Sequence, residues 1–169
     1  EYFGVAPDLA TFGKAMANGF PLSCIVGRAA IMEWAKLASG TFGGEALSLA
    51  ACQATIGVYQ REPVVKHMWE VGAALQQGLR CVFRDHDLPY IVDGYPVHPR
   101  VRGDAHAGDN AVSLLIQEIT RRGILWHHAG VNVSYSHTMD DVMRTVDAFD
   151  EACRAIRDGA TLVGAPIQP

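Results

Sequence analysis

Apolar residues recur every three or four positions after Pro63, and this recurrence limits most strongly what the chain can fold into. Such spacing puts the apolar side chains on one face of an α-helix that runs to about Arg84. Pro63 suits the first helical position, because the N–H that proline lacks would have no partner there. A chain of 169 residues, 49% of them hydrophobic, is long enough to build a core against this face. The apolar positions are Val64, Met68, Val71, Leu75, Leu79 and Val82.

Shorter signals predict the other elements in this second half. Asn110 is a candidate helix cap, and Gly123 lies just past the end of that helix. Thr138-x-x-Asp141 resembles a capping box, with Asp in place of Glu, and opens a last helix. The predicted strands are 90–92, 96–101, 124–126 and 131–135, the last two paired across a turn near Gly130.

The first half alternates short apolar stretches with glycine-rich turns. A small-residue loop at 39–44 runs into an alanine-rich helix at 45–59, which we expect to lie in a core. Alternating strands and helices predict an α/β fold, with a smaller α+β unit after a boundary near 61–63. The remaining predicted elements are a strand at 9–12, a buried strand at 22–26, and a helix at 29–37 with Ile31, Trp34 and Leu37 on one face.

Composition and charge argue against two broad classes of function. A net charge of −4 and a pI near 5.9 do not suit sequence-independent binding of nucleic acid, which needs an excess of Lys and Arg. No apolar run reaches the roughly 20 residues of a membrane helix. The cysteines lie far apart without a Cys-x-x-Cys motif, which predicts free thiols and a cytoplasmic protein.

Lys14 is the candidate catalytic residue among the three lysines, the others being Lys36 and Lys66. It follows a short apolar strand and Gly13, and it precedes a run of small residues. A lysine in such a place can be partly desolvated, and a neutral amine attacks a carbonyl carbon to form a Schiff base. By spacing alone, a surface lysine at a turn is the more common explanation.

Thr41 lies in the second candidate site, the loop before the alanine-rich helix. It offers a hydroxyl group, while Gly43 and Gly44 let the backbone come close to a ligand. The unpaired N–H groups and the positive dipole end of the following helix would point at the same place, which suits a phosphate. The same pattern also starts many helices that bind nothing.

Three segments of the chain are specific enough to suggest a family. They are Glu1-Tyr2-Phe3-Gly4-Val5-Ala6-Pro7-Asp8-Leu9-Ala10-Thr11-Phe12-Gly13-Lys14, Asn18-Gly19-Phe20-Pro21 and Thr41-Phe42-Gly43-Gly44-Glu45-Ala46-Leu47-Ser48-Leu49-Ala50-Ala51. Together they resemble the cofactor-lysine region of the class III aminotransferases. These are pyridoxal-phosphate enzymes of fold type I, and they include the glutamate-1-semialdehyde aminomutases. A weaker similarity continues to the end of the chain.

The resemblance implies a cofactor, two site residues and a domain organisation. Lys14 would form the Schiff base with pyridoxal 5′-phosphate, and its freed amine would move a proton between the substrate carbon and the cofactor. Thr41 would bind the cofactor phosphate, in this family from the neighbouring subunit of a homodimer. Residues 1–60 would be the C-terminal part of the large α/β cofactor domain, and residues 61–169 the small α+β C-terminal domain.

Two other groups of polar side chains carry weaker signals. Arg100 and Arg102 flank a predicted strand where family members often bring in a substrate carboxylate, although a solvated edge strand explains them more simply. The adjacent His127 and His128 would face opposite sides of a strand, and the histidines lack metal-ligand spacing, so we expect no metal. No serine has a base at a spacing diagnostic of a hydrolase.

The chain also departs from the family pattern. The acidic partner of the pyridine nitrogen, the upstream phosphate loop and the aromatic residue that stacks on the ring are all expected before Lys14. We therefore expect a C-terminal fragment that is inactive alone, with a partner chain or a longer protein supplying the N-terminal half.

The reaction is expected to move an amino group between an amine or amino acid and a carbonyl compound. The aminomutases typically show Gly-Asn-Pro after the phosphate threonine, whereas this chain has Phe42-Gly43-Gly44-Glu45, which favours an aminotransferase. An aminomutase and a non-catalytic remnant or assembly module stay open as alternatives.

Overall fold

The computed structural model describes residues 2–34 and 40–164. Within it the chain forms two compact units, Glu1–Pro63 and Val64–Pro169. The change of pattern near 61–63 thus coincides with a structural boundary. The assignment of these units to the large and small domains of a fold type I enzyme stays a prediction.

The first unit begins with an antiparallel hairpin of β1 (Leu9–Phe12) and β2 (Cys24–Gly27). Gly27 faces Leu9 across the hairpin, and a Cβ at Gly27 would lie 2.5 Å from the Asp8 carbonyl oxygen, so only glycine fits there. The prediction of β1 is confirmed. The second strand was predicted at 22–26 and buried; it starts at Cys24 and is mostly exposed, because this small hairpin has no second layer over it within the described part of the unit.

Two helices complete the first unit. α1 spans only Ala29–Met32, with Trp34 87% exposed just beyond it, so the predicted apolar face does not form there; Leu37 lies outside the described residues. α2 spans Ala46–Arg61, close to the prediction. The expectation that α2 lies in a core is wrong for this chain, because a hairpin of four-residue strands is too small to cover a 16-residue helix. Its exposed apolar residues are Leu47, Leu49, Ile56 and Tyr59.

The second unit packs three helices around a hairpin. Its elements are α3 (Val64–Asp85), β3 (Tyr90–Tyr95), β4 (His98–Gly103), α4 (Ala111–Arg121) and α5 (Met139–Arg157). β3 and β4 are antiparallel. α3 packs closely on α5 at Gly78, where an added Cβ would lie only 2.5 Å from Val146 Cγ2. Of the apolar face predicted for α3, Val71, Leu75, Leu79 and Val82 lie in the core, whereas Val64 is buried outside the core cluster and Met68 is half-buried. The core residues are Val71, Leu75, Leu79, Val82, Phe83, Tyr90, Val92, Val101, Leu115, Ile116, Ile119, Trp126, Val142, Phe149, Ala152 and Cys153.

Helix ends in this unit follow the predicted signals with one exception. The capping box of α5 is present: Thr138 Oγ1 accepts from the Asp141 N–H at 3.2 Å, and Asp141 Oδ2 accepts from the Thr138 N–H at 2.9 Å. Past α4, Gly123 has φ +83° and its N–H donates to the Thr120 carbonyl at 3.0 Å, as in a glycine C-cap. Asn110 stands at the N-cap of α4, but its side chain makes no capping hydrogen bond.

The predicted strand pair at 124–126 and 131–135 does not form. Instead, the Val131 N–H donates to the Pro99 carbonyl at 3.1 Å and the Val133 N–H to the Val97 carbonyl at 3.0 Å. The segment 131–133 is thus held along the chain around the start of β4, while Trp126 turns into the core against Phe149. No helix in the described residues is long and apolar enough to cross a membrane.

Candidate active site

Lys14 lies at the point where β1 ends and the backbone turns sharply. It begins a short 3-10 helix, Lys14–Ala17, with a left-handed φ of +50°, and Asn18 closes this helix with φ +47°. Left-handed backbone is costly for a residue with a side chain and is found where the surroundings enforce it, often at functional sites. The Lys14 side chain is exposed, so its amine can be reached from solvent.

The short helix that carries Lys14 is held by contacts with α2 and β2. Ala17 is fully buried, and the helix packs against α2. Met16 Sδ lies 3.5 Å from Cys24 Sγ on β2. These contacts hold the turn to α2 and to β2, and they explain how the strained backbone at Lys14 is maintained.

The loop 40–44 carries Thr41 and folds back on itself before α2. The Gly43 N–H donates to the Gly40 carbonyl at 2.9 Å, the Glu45 N–H donates to the Phe42 carbonyl at 3.2 Å, and Gly44 has φ +78°. A side chain would be strained at Gly44, so glycine is required there. Thr41 itself is exposed. The loop therefore presents the hydroxyl-bearing residue on an ordered turn at the start of α2.

The amides of α2 are not available in the way that the sequence pattern suggests. The Glu45 carboxylate caps the helix: Oε1 accepts from the Leu47 N–H at 2.8 Å, and Oε2 accepts from the Ser48 N–H at 2.7 Å. The buried Ser48 hydroxyl donates to the same Oε2 at 2.6 Å. The Leu47 and Ser48 amides are therefore not unpaired as the sequence pattern predicts, because a side chain of the protein already uses both.

Arg100 and Arg102 are held by a carboxylate of their own hairpin. Arg100 faces Asp93 across the β3–β4 pair and donates to it through Nε at 2.8 Å, and Arg102 Nε donates to the other Asp93 oxygen at 2.7 Å. The hydrogen bond from Arg100, together with that from Arg102, lowers the pKa of Asp93 to about 2. The cluster thus explains the two arginines as cross-strand partners of Asp93.

The histidines and cysteines differ in part from the predictions. His127 and His128 do not face opposite ways; they lie in a turn rather than a strand, and their ring centroids are 4.2 Å apart. The part of the chain that the structure describes contains no group of three or more His, Cys, Asp or Glu arranged for a metal. All four cysteines are free, as predicted, and burial raises the pKa of Cys153 to about 12, so that thiol stays protonated.

The sequence analysis missed two residues that organise these sites. Glu45 was read as the first residue of a helix, although an acidic residue directly before an alanine-rich stretch is a cap signal, if a less common one than Asp. Asp93 was missed because its role depends on strand register. A carboxylate seven residues before an arginine in two consecutive strands is the signal that could have found it.

Comparisons with known proteins place these observations in a family. Residues 1–157 match the model of the family described as aminotransferase class-III. Aminopentol aminotransferase from Sphingopyxis macrogoltabida is 30% identical over 98% of this chain, and glutamate-1-semialdehyde 2,1-aminomutase from Thermus thermophilus is 30% identical over 90% of it. The chain spans about 40% of the length of each of these curated relatives.

Solved structures agree with this result. The internal aldimine form of the FumI protein from Sphingopyxis sp. MTA144, with pyridoxal phosphate, superposes with a TM-score of 0.85 and 28% identity, over 96% of this chain and 40% of that one. An omega-transaminase from Sphaerobacter thermophilus gives a TM-score of 0.79 at 22% identity, over 92% of this chain and 40% of that one, which supports the fold alone. The neighbours are consistent with an α/β architecture of fold type I. By the match of its residues 1–157, this chain belongs to the class III aminotransferases.

Proposed function

We propose that this chain is the lysine-bearing part of a pyridoxal-phosphate-dependent aminotransferase. The reaction would transfer an amino group between an amine or amino acid and a carbonyl compound. The observation that carries the proposal is Lys14: an exposed amine on a left-handed residue directly after β1, within the segment that matches the family. The family and its relatives solved with pyridoxal 5′-phosphate indicate that cofactor.

The described residues fit this cofactor at two of its ends. An exposed primary amine fits an aldehyde, with which it condenses. The ordered turn at Thr41 offers a hydroxyl group and a glycine-rich backbone for a phosphate. The α2 amides that Glu45 occupies add nothing to that binding. Lys14 of one chain and Thr41 of a second copy would therefore hold the group from its two ends.

Lys14 has two tasks in the proposed reaction. The bound cofactor supplies an electron sink for the charge that develops on the substrate carbon. Nζ of Lys14 would hold the cofactor covalently before substrate arrives. As a free amine, Nζ would take a proton from the substrate carbon that carries the amino group and give it up again on the cofactor side. Burial of Ala17 and the contact of Met16 with Cys24 hold the backbone from which the Lys14 side chain extends.

The activity of this chain by itself is a separate proposal. The chain spans about 40% of its curated relatives, and the expected acidic partner of the pyridine nitrogen precedes Lys14 in the family. Exposed apolar side chains on the first unit support an association with a second copy or with a partner chain. They include Tyr2, Phe3, Phe12, Trp34 and Phe42. We therefore propose little or no turnover for the isolated chain.

An aminomutase is the second candidate, since a relative with that name is as similar as the aminotransferase. The sequence Phe42-Gly43-Gly44-Glu45 favours the aminotransferase, because the aminomutases typically show Gly-Asn-Pro after the phosphate threonine. The two reactions share their half-reactions, so Lys14 has the same tasks in both.

Borohydride trapping tests the proposal. The full chain is mixed with pyridoxal 5′-phosphate and reduced, and the modified lysine is located by peptide mapping. We expect selective labelling of Lys14 over Lys36 and Lys66, and loss of the label in Lys14→Ala. Lys66→Ala is the matched control, because Lys66 is an exposed lysine that pairs only with Glu70 on the same helix face. Equal labelling of all three lysines would contradict a cofactor site at Lys14 in this chain.

A further inference from the structure

Glu45 places a fixed negative charge at the beginning of α2. Its carboxylate receives three hydrogen bonds of 2.6 to 2.8 Å, from the Ser48 hydroxyl and from the Leu47 and Ser48 N–H groups. The bond from the Ser48 hydroxyl, followed by those from the two amides, lowers the pKa of Glu45. The group is therefore a carboxylate at neutral pH, with both oxygens engaged.

A second anion would be disfavoured at the same helix end. Anions bind there because the first amides are unpaired and the helix dipole is positive. Glu45 uses the Leu47 and Ser48 amides and offsets the dipole with a full negative charge. An incoming phosphate would meet a like charge at close range and would have to displace the carboxylate from its hydrogen bonds.

Backbone hydrogen bonds hold the loop that carries Thr41. Glu45 is the N-cap residue of α2, and its own N–H is bonded to the Phe42 carbonyl. The Gly43 N–H is likewise bonded, to the Gly40 carbonyl. Among the donors of residues 40–48, the Gly43, Glu45, Leu47 and Ser48 amides are thus taken within the chain, whereas Thr41 is exposed.

We propose that Glu45 acts as a built-in anion that closes the N-terminus of α2 to phosphate. The identity of the phosphate as that of the cofactor rests on the proposed function. The closure of the helix end does not, because it follows from the hydrogen bonds of Glu45 alone.

Amide chemical shifts during a phosphate titration test this inference. The full chain, labelled with 15N, is titrated with inorganic phosphate at constant ionic strength, in the natural form and as Glu45→Ala, Glu45→Gln and Ser48→Ala. We expect the Leu47 and Ser48 amides to stay unchanged in the natural chain. In Glu45→Ala they should shift saturably, with phosphate binding there about tenfold tighter. Ser48→Ala is the matched control, because it loses the hydroxyl bond but keeps the carboxylate on the amides. The amide shifts of residues 47 and 48 should therefore not change when phosphate is added.

Glu45→Gln shows whether a response to phosphate comes from the lost charge or from unfolding of the first turn of α2. Its amide oxygen can still accept a helix N–H, so α2 should stay capped, yet the charge is gone and a response to phosphate is expected. Saturable changes of the Leu47 and Ser48 amide shifts in the natural chain would overturn the inference. It would also be overturned if phosphate changed neither shift in either Glu45 variant, provided that the α2 amides keep their helical chemical shifts. If Phe42 and Gly44 do not respond in any form, the phosphate role of Thr41 fails, but a gain at Leu47 and Ser48 would still support the role of Glu45.

Discussion

At Gly72 the backbone of α3 comes so close to the β3–β4 turn that a Cβ would overlap the Pro96 carbonyl oxygen. Backbone cannot give way as a flexible side chain can. We expect Gly72→Ala to lower the free energy of unfolding by about 1–3 kcal/mol, the usual cost of overpacking. Denaturant unfolding followed by circular dichroism measures it. Gly108→Ala is the control, since nothing lies within 4 Å of a Cβ there; equal effects of the two changes would contradict the close approach.

Lys14 stores backbone strain that the fold does not need for packing. Its φ of +50° suits glycine, and its side chain is exposed. We expect Lys14→Gly to be more stable than Lys14→Ala by about 1 kcal/mol, because alanine keeps the strain and glycine removes it. Both variants should lose the borohydride label. Hydrogen exchange at residues 13–18 reports the local stability, and slower exchange in Lys14→Ala than in Lys14→Gly would argue against strain.

At the scale of the element, α5 depends on its first turn. Thr138→Ala removes the acceptor for the Asp141 N–H, and we expect a loss of about 1 kcal/mol in the free energy of unfolding of the second unit. Thr120→Ala, at an exposed site inside α4, is the matched control and should be neutral or slightly stabilising. The two are compared by denaturant unfolding; a neutral Thr138→Ala would show that the capping box contributes little.

Two carboxylates of the second unit predict a dependence of stability on pH. Hydrogen bonds from Arg100 and Arg102 lower the pKa of Asp93 to about 2, and the Thr138 N–H, together with its hydroxyl, lowers the pKa of Asp141. A carboxyl whose pKa is lower in the folded state stabilises the fold above its unfolded pKa of about 4. That contribution is lost as the pH falls from about 4 towards 2. We expect Asp93→Asn and Asp141→Asn to flatten the decrease of the unfolding midpoint between pH 5 and pH 2.5; an unchanged slope would contradict it.

At the scale of the whole molecule, the two units differ in how much they bury. The core cluster lies entirely within Val64–Pro169, whereas in the described residues of the first unit only Ala17 and Ser48 are buried. Amides exchange slowly where opening exposes a packed core. We expect strong protection from hydrogen exchange in α3, α4 and α5, and weak protection in β1 and β2. Equal protection in the two hairpins would show that the first unit is stabilised by contacts other than those within it.

Local patterns account for the parts of the fold that were predicted. The helical spacing from Val64 to Val82, the glycine after α4 and the Thr138–Asp141 box act over three to five residues, so they can be read from neighbours along the chain. The strand pair at 124–126 and 131–135 failed because β-pairing is chosen by distant partners. Here Val97 and Pro99 took the bonds of the later segment.

The family, the position of Lys14 after a strand and the helices of the second unit could be predicted from the sequence, because motif spacing and periodicity are properties of consecutive residues. The left-handed backbone of Lys14, the pairing of Asp93 with Arg100 and Arg102, and the capping of α2 by Glu45 became evident only in the folded chain. Each of these depends on where the chain turns and on which polar groups the fold brings within hydrogen-bonding distance. Hydrogen-bond partners are settled by distance in space, which spacing along the chain does not specify.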